Sequence, residues 1–218
     1  MTMNVREPST NSSAATPTWS DPMFANRYTA LIDACTLVSV WRRNLLLSLA
    51  EAEFFRIRWS EPILTETRAA LIKMARERDL DDPEGRGERA IKAMQTAFPE
   101  AMVEDFKLLG SAQFGLPDPG DEHVIAAAVK TQAQALVTEN LKDFPAGILG
   151  QINIEARSAD DFIADTIALE EGRAIAAVRK MRERLKRPEM SPEDFLRALE
   201  ANGLLETASV LTPHLGSI

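Results

Sequence analysis

Short runs suited to buried strands alternate with segments of helical period through the first two thirds of this chain, and that alternation restricts the fold more than any other feature. RYTALIDACTL reads as a buried strand running into a turn and helix, LVSVWRRNLLLSLAEAE as a long helix, and FFRIRW as a short strand of alternating apolar and basic residues. Pro62 marks the first turn of a further helix, with Ile63, Leu64, Thr67, Leu71 and Met74 at helical spacing. RERDLDDPEGRGERA reads as a charged linker, followed by one or two helices up to Leu109. After the turn segment GLPDPGD, EHVIAAAVKTQAQ reads as a small-residue helix, ALVTEN as a strand, LKDFPAGILG as a loop and INIEARSA as a last strand or edge. Strands and helices in this order predict an α/β fold, a three-layer α/β/α arrangement with a central parallel sheet and right-handed crossovers.

Beyond about Ser158 the strand signals stop. SPEDFLRALEANGLLETASVL reads as a helical hairpin, with Ser191 as N-cap, Pro192 at the first helical position and Asp194 where a capping box more often has Glu or Gln. Residues 1–26 are therefore expected to be a flexible polar tail, 27–157 the main domain and 158–218 a small helical extension.

Charge limits the partners. With 25 basic and 33 acidic residues the net charge is −8, so the field of the whole molecule does not attract nucleic acid and any RNA contact must be local. One local exception runs from Arg173 to Arg187, where seven basic residues face a single acid, Glu183. Its apolar positions Ile175, Val178, Met181 and Leu185 share a face, which reads as a packed amphipathic helix with a solvated basic side. The opening segment has no apolar run for a signal peptide or membrane span, so a cytosolic protein without membrane attachment is expected. A lone cysteine, Cys35, excludes an intrachain disulfide framework and a CxxC zinc site, and its apolar surroundings read as those of a small buried side chain.

In an open parallel sheet, ligands bind outside the carboxyl ends of the strands. Asp33 ends the first strand, Asp121 opens the EHVIAAA helix, Asp143 follows ALVTEN, and Glu66 can face the same cleft from its helix. Taken singly, Asp121 is an ordinary helix cap, Asp118 a turn residue and Glu66 a solvated charge. Asp33 is more telling, because a carboxylate that terminates an apolar strand is costly to bury unless something binds it. Clustered carboxylates repel one another and call for a cation, and an all-oxygen set suits Mg²⁺ or Mn²⁺.

LIDACTL, the LTET helix, LPDPGDEHVIAAA and VTENLKDF, in this order and spacing, resemble the PIN-domain nucleases, in particular VapC-type toxins of bacterial toxin-antitoxin pairs. The resemblance covers roughly Tyr28 to Ala156, and the helical tail is similar to an extension found in one branch of these proteins. It implies a PIN-like fold and Mg²⁺- or Mn²⁺-dependent attack of water on an RNA phosphodiester, without a covalent enzyme intermediate. Asp33, Glu66 and Asp121 would be the first three metal-binding acids, with Asp118 as a helper. The common pattern has an Asp two residues after Thr138, and here that place is Asn140. Either Asp143 substitutes for it, or Asn140 holds a water of the site, while Thr138 orients a carboxylate or a water. A homodimer and a cognate antitoxin that blocks the cleft are further expectations of the resemblance. His123 reads first as a satisfied surface histidine and second as a phosphate contact. Arg42, Arg43, Arg68 and Lys142 are the candidate RNA phosphate contacts.

Other chemistry finds little support. GRGERA fits G-x-G-x-x-A but follows an acidic stretch rather than a strand. No phosphate-binding loop or nucleophile elbow is present, and two distant histidines make no zinc site. An aspartyl phosphatase would need a second Asp at position 35, which is cysteine. Two further readings stay open: an RNA-processing nuclease without a toxic role, and a non-catalytic module that holds RNA or a protein on the same fold.

Overall fold

The computed structural model describes residues 28–106, 114–186 and 189–218. The opening segment read as a flexible tail, the end of the helical stretch at Leu109, and Arg187 of the basic run lie outside the described residues. Five strands, β1 (Thr29–Ile32), β2 (Arg56–Ser60), β3 (Met102–Val103), β4 (Ala135–Val137) and β5 (Glu155–Arg157), form one sheet in the order β3-β2-β1-β4-β5. Every pairing is parallel, as the alternation predicts.

Helices α1 (Ala34–Val38), α2 (Val40–Glu51), α3 (Glu61–Glu77), α4 (Pro83–Ala97), α5 (Glu122–Lys130) and α6 (Ala146–Leu149) flank this sheet. They are followed by α7 (Ala159–Leu169), α8 (Glu171–Arg184), α9 (Pro192–Ala201) and α10 (Leu205–Leu211). The strand order reverses at β1. The chain moves outward to β2 and β3, then returns to the other side of β1 for β4 and β5. The connections therefore diverge at the carboxyl ends of β1 and β4, the place where open α/β sheets leave a crevice.

Composition explains how tightly the layers close. Val124, Ile125, Ala126, Ala127 and Ala128 of α5 are all fully buried, and the small side chains let this helix lie close to β1 and β2. Asp160, in the first turn of α7, accepts the Glu206 and Thr207 N–H groups at 2.9 and 2.8 Å and so secures the start of α10. The basic helix α8 buries Ala174, Ile175, Val178 and Met181. Several of its cations are engaged: Lys180 and Arg184 pair with Glu51 of α2, Arg179 pairs with Glu183, and Arg173 lies 4.3 Å over the Phe54 ring. Among the described residues no helix is long and apolar enough to cross a membrane.

Several local expectations need correction. Only residues 78–82 of the supposed linker connect helices, for its first two residues end α3 and its second half, from Pro83, begins α4: Asp82 caps α4 through the Gly85 N–H, and Gly87 packs so close to α3 that a Cβ there would meet Ile72 at 2.8 Å. Glycine weakens a helix by propensity, yet Gly87 makes room for the approach of α3, and Gly85 makes room for the capping carboxylate of Asp82. Strand β3 was not anticipated, because two residues show no periodicity. The segment after ALVTEN is not a plain loop but holds a single 3-10 turn, Leu141–Asp143, and α6. The long first helix is broken at Ser39, which ends α1 and caps α2.

Candidate active site

Register builds the site. Ile32 pairs with Val137, so the next residues, Asp33 and Thr138, meet where the strand order reverses. Asp33 is only 7% exposed. Its Oδ1 accepts the Ala34 N–H at 2.7 Å, capping α1, and its Oδ2 accepts the Thr138 hydroxyl at 2.8 Å and the Cys35 thiol at 3.1 Å. Part of the reason for burying this carboxylate is therefore structural, a role not anticipated from the sequence. Thr138 is fully buried and accepts the Asn140 N–H at 3.1 Å, so one hydroxyl fixes both the acid and the following turn.

Cys35 corrects an expectation, for it is exposed rather than buried. The helix turn after Asp33 points it to the surface, where its sulfur also lies 3.3 Å from Thr138 Oγ1 and accepts the Glu139 N–H at 3.3 Å. Desolvation and the Asp33 charge push its pKa up to about 11. It is no thiolate nucleophile at neutral pH.

Asp121 stands at the N-terminus of α5 yet makes no capping hydrogen bond. Desolvation first, then the charges of Asp33, Asp118 and Asp143, raise its pKa to about 6, with His123 acting the other way. Local duties around it fall to others. Asp118 caps the turn Pro119–Asp121 through the Gly120 N–H at 2.7 Å, as its turn reading implies. Glu122 accepts the N–H groups of Phe114, Gly115 and Leu116 at 2.9, 3.1 and 3.3 Å and holds the loop in front of Asp121. Gly115, with φ +80°, supplies the left-handed residue that this loop needs.

The two candidates for the fourth position are neighbours, since the Asn140 side-chain amide donates to Asp143 Oδ2. Glu66 is exposed on α3 and reaches across to α5, where its Oε1 lies 2.9 Å from His123 Nε2. His123 is thus a tether between the two helices, a role between its two expected readings. Sequence reasoning missed Glu122 and Glu139. Glu139 joins Arg42 at 3.1 Å and also accepts the Ala159 N–H at the start of α7 at 3.1 Å, tying the site's turn to the C-terminal helices. Nothing in either local pattern distinguishes such an acid from a solvated one.

The cations expected to meet phosphate are mostly engaged. Arg42 pairs with Glu139, Arg43 donates to the Leu37 carbonyl oxygen at 2.6 Å, and Arg68 pairs with Glu88 at 2.9 Å. Lys142 is exposed and forms no ion pair among the described residues.

The donor set of Asp33, Asp121 and Asp143 is anionic and all-oxygen, which fits a hard divalent cation, and burial first, then the neighbouring carboxylates, makes the charge on Asp121 costly without one. Among the described residues no three His, Cys, Asp or Glu side chains stand close enough to grip an ion together. The fit therefore lies in donor chemistry and shared location.

Comparison with known proteins gives three results. The profile of the PIN domain matches residues 29–142, and that of the VapC50 C-terminal domain matches residues 159–213. A protein of Mycobacterium tuberculosis named "Putative ribonuclease VapC50" is 39% identical over 79 residues, which are 36% of this chain and 47% of that protein. The alignment thus spans about half the length of that relative. No solved structure matches the chain.

Proposed function

We propose that this chain, which belongs to the PIN-domain family, hydrolyses RNA phosphodiester bonds with the help of a divalent cation at the Asp33, Asp121 and Asp143 cleft. One observation carries the reading: Asp121 heads a helix without capping it, while the charges of Asp33 and Asp143 from two other segments, and of Asp118 from its own turn, act on it. A structural cap would have spent that carboxylate on backbone N–H groups.

In this proposal Asp33, Asp121 and Asp143 would draw together to hold Mg²⁺ or Mn²⁺, with Glu66 approaching from α3, and the bound ion would supply Lewis acidity toward the phosphodiester. The remaining roles fall to side chains of the chain itself. Thr138 and Cys35 fix the orientation of Asp33 Oδ2. Asn140 positions Asp143, and His123 keeps Glu66 directed toward the α5 side of the cleft. Residues 27–157 make up the nuclease unit and 158–218 the helical extension, a division that the two matched profiles support. A toxin role with a cognate antitoxin as protein partner accords with the VapC50 likeness, and a homodimer acting in the cytosol completes the proposal.

The test is cleavage of single-stranded RNA in Mg²⁺ or Mn²⁺ by the parent and by Asp33→Asn. The variant keeps an oxygen for the Ala34 N–H, so it should fold while cleavage is lost. Full activity in Asp33→Asn would sink the proposal. Asn140, where the family pattern has an acid, favours a second reading as a binding module without catalysis. Calorimetry separates the two: Mn²⁺ binding lost in Asp121→Asn supports the enzyme, and no binding at millimolar metal supports the module.

A further inference from the structure

Glu139 lies on the turn that joins Thr138 to Asp143, and both of its carboxylate oxygens are engaged outside that turn. Oε1 accepts the N–H of Ala159, the first residue of α7, at 3.1 Å, and Oε2 pairs with Arg42 Nη2 of α2, also at 3.1 Å. The pair is partly withdrawn from water, with side chains 23% and 28% exposed, and Arg42 Nε is buried without a hydrogen-bond partner. A cation so placed relies on Glu139 for its counter-charge.

Arg42 in turn rests on the helical extension. A Cβ on Gly203, in the turn between α9 and α10, would lie 3.6 Å from Arg42 Nη2. The neighbouring Trp41 meets the fully buried Phe195 of α9 edge to face, ring centroids 5.9 Å apart at 64°. The start of α2 and the turn after β4 are thus both fastened to the extension, and Glu139 touches the two fastenings at once.

The backbone of the same turn leads inward. The Glu139 N–H donates to Cys35 Sγ at 3.3 Å, and Cys35 donates to Asp33 Oδ2 at 3.1 Å. Asn140 gives its N–H to the Thr138 hydroxyl and its side-chain amide to Asp143. One turn therefore reaches Asp33 from one end and Asp143 from the other, while its outer anchor is a carboxylate bound to α2 and α7.

Resting on the ribonuclease reading above, we propose that Glu139 is a positioning residue through which the helical extension holds the Thr138–Asp143 turn, so that the metal affinity of the acidic site depends on the extension. The physical reason is order. A ligand carried on a loose turn must be fixed when the ion binds, and groups behind metal ligands commonly change affinity for that reason. A Glu139 that served stability alone would lower the melting temperature and leave the folded site as it is.

The test compares Glu139→Ala with Ile91→Val, a buried truncation of comparable cost on α4, which packs on α3. At a temperature where all variants are folded, calorimetric titration with Mn²⁺ should give a dissociation constant about tenfold weaker for Glu139→Ala and unchanged for Ile91→Val. Amide hydrogen exchange should show the Asn140 N–H about tenfold faster in Glu139→Ala alone. Glu139→Gln keeps an oxygen for the Ala159 N–H, so it should fold even where alanine does not and should move both readouts about threefold. Mn²⁺ affinity or Asn140 exchange that stays at the parent's value in both Glu139 variants, or that changes equally in Ile91→Val, overturns the proposal. A parent that binds no Mn²⁺ and cuts no RNA refutes the nuclease reading, and Asn140 exchange then decides by itself whether Glu139 holds the turn.

Discussion

Replacing Thr138 with valine removes one hydroxyl from a fully buried position while keeping the side chain's volume. That hydroxyl donates at 2.8 Å to a carboxylate that is itself only 7% exposed, and it accepts the Asn140 N–H. A hydrogen bond to a charged group contributes about 1.5–3 kcal/mol, and leaving Asn140 N–H without its acceptor moves the loss toward the upper end. For a chain of this size a loss of about 2 kcal/mol lowers the melting temperature by about 4–8 °C. Thr138→Ser restores the hydroxyl at the cost of one methyl, about 1 kcal/mol. Thermal unfolding followed by circular dichroism reads the first effect. RNA cleavage in Mn²⁺ reads the second, and we expect Val to lose about tenfold or more while Ser keeps most activity. A valine variant that melts within about 1 °C of the parent, or a serine variant as damaged as valine in both assays, would refute the argument that this hydroxyl sets Asp33.

Asp121, with its pKa raised from 3.8 to about 6, should destabilise the metal-free fold above about pH 6, an effect that fades as pH falls toward 3.8. Asp121→Asn should therefore melt above the parent at pH 7.5 and level with it near pH 4, and equal melting at both would refute the shift. Cys35 should react slowly with Ellman's reagent at pH 7.5 despite its exposure, because moving the thiol from 9 to about 11 cuts the thiolate fraction about 100-fold. Labelling in the native state as fast as in denaturant would contradict this. Asp160→Ala strips two N–H groups of α10 of their acceptor and should cost about 1–2 kcal/mol, read as a lower melting temperature, with Asp160→Asn milder.

Much of the sheet was legible because strand and helix periods differ. LID, FRIRW, ALV and IEA each carry enough apolar or alternating pattern to mark β1, β2, β4 and β5, and crossovers between them leave a parallel sheet as the natural outcome. β3 was not legible, since two residues have no period. α4 was misread because Gly85 and Gly87 argue against a helix locally, whereas its packing on α3 uses the room that Gly87 leaves.

By itself the sequence determined that acids stand beside the apolar runs of the sheet and its helices, Asp33 directly after β1, Asp121 directly before α5 and Asp143 in the turn after β4. Only the tertiary structure decided what each acid does. Asp33 caps α1 while bound to Thr138, Glu122 and Glu139 hold backbone in place, and Asp121 heads α5 without a capping hydrogen bond. The reason is that a carboxylate's role depends on which N–H and O–H groups come within 3 Å of it. For Thr138 and Asp33, 105 residues apart in the chain, the register between β1 and β4 is what brings them together.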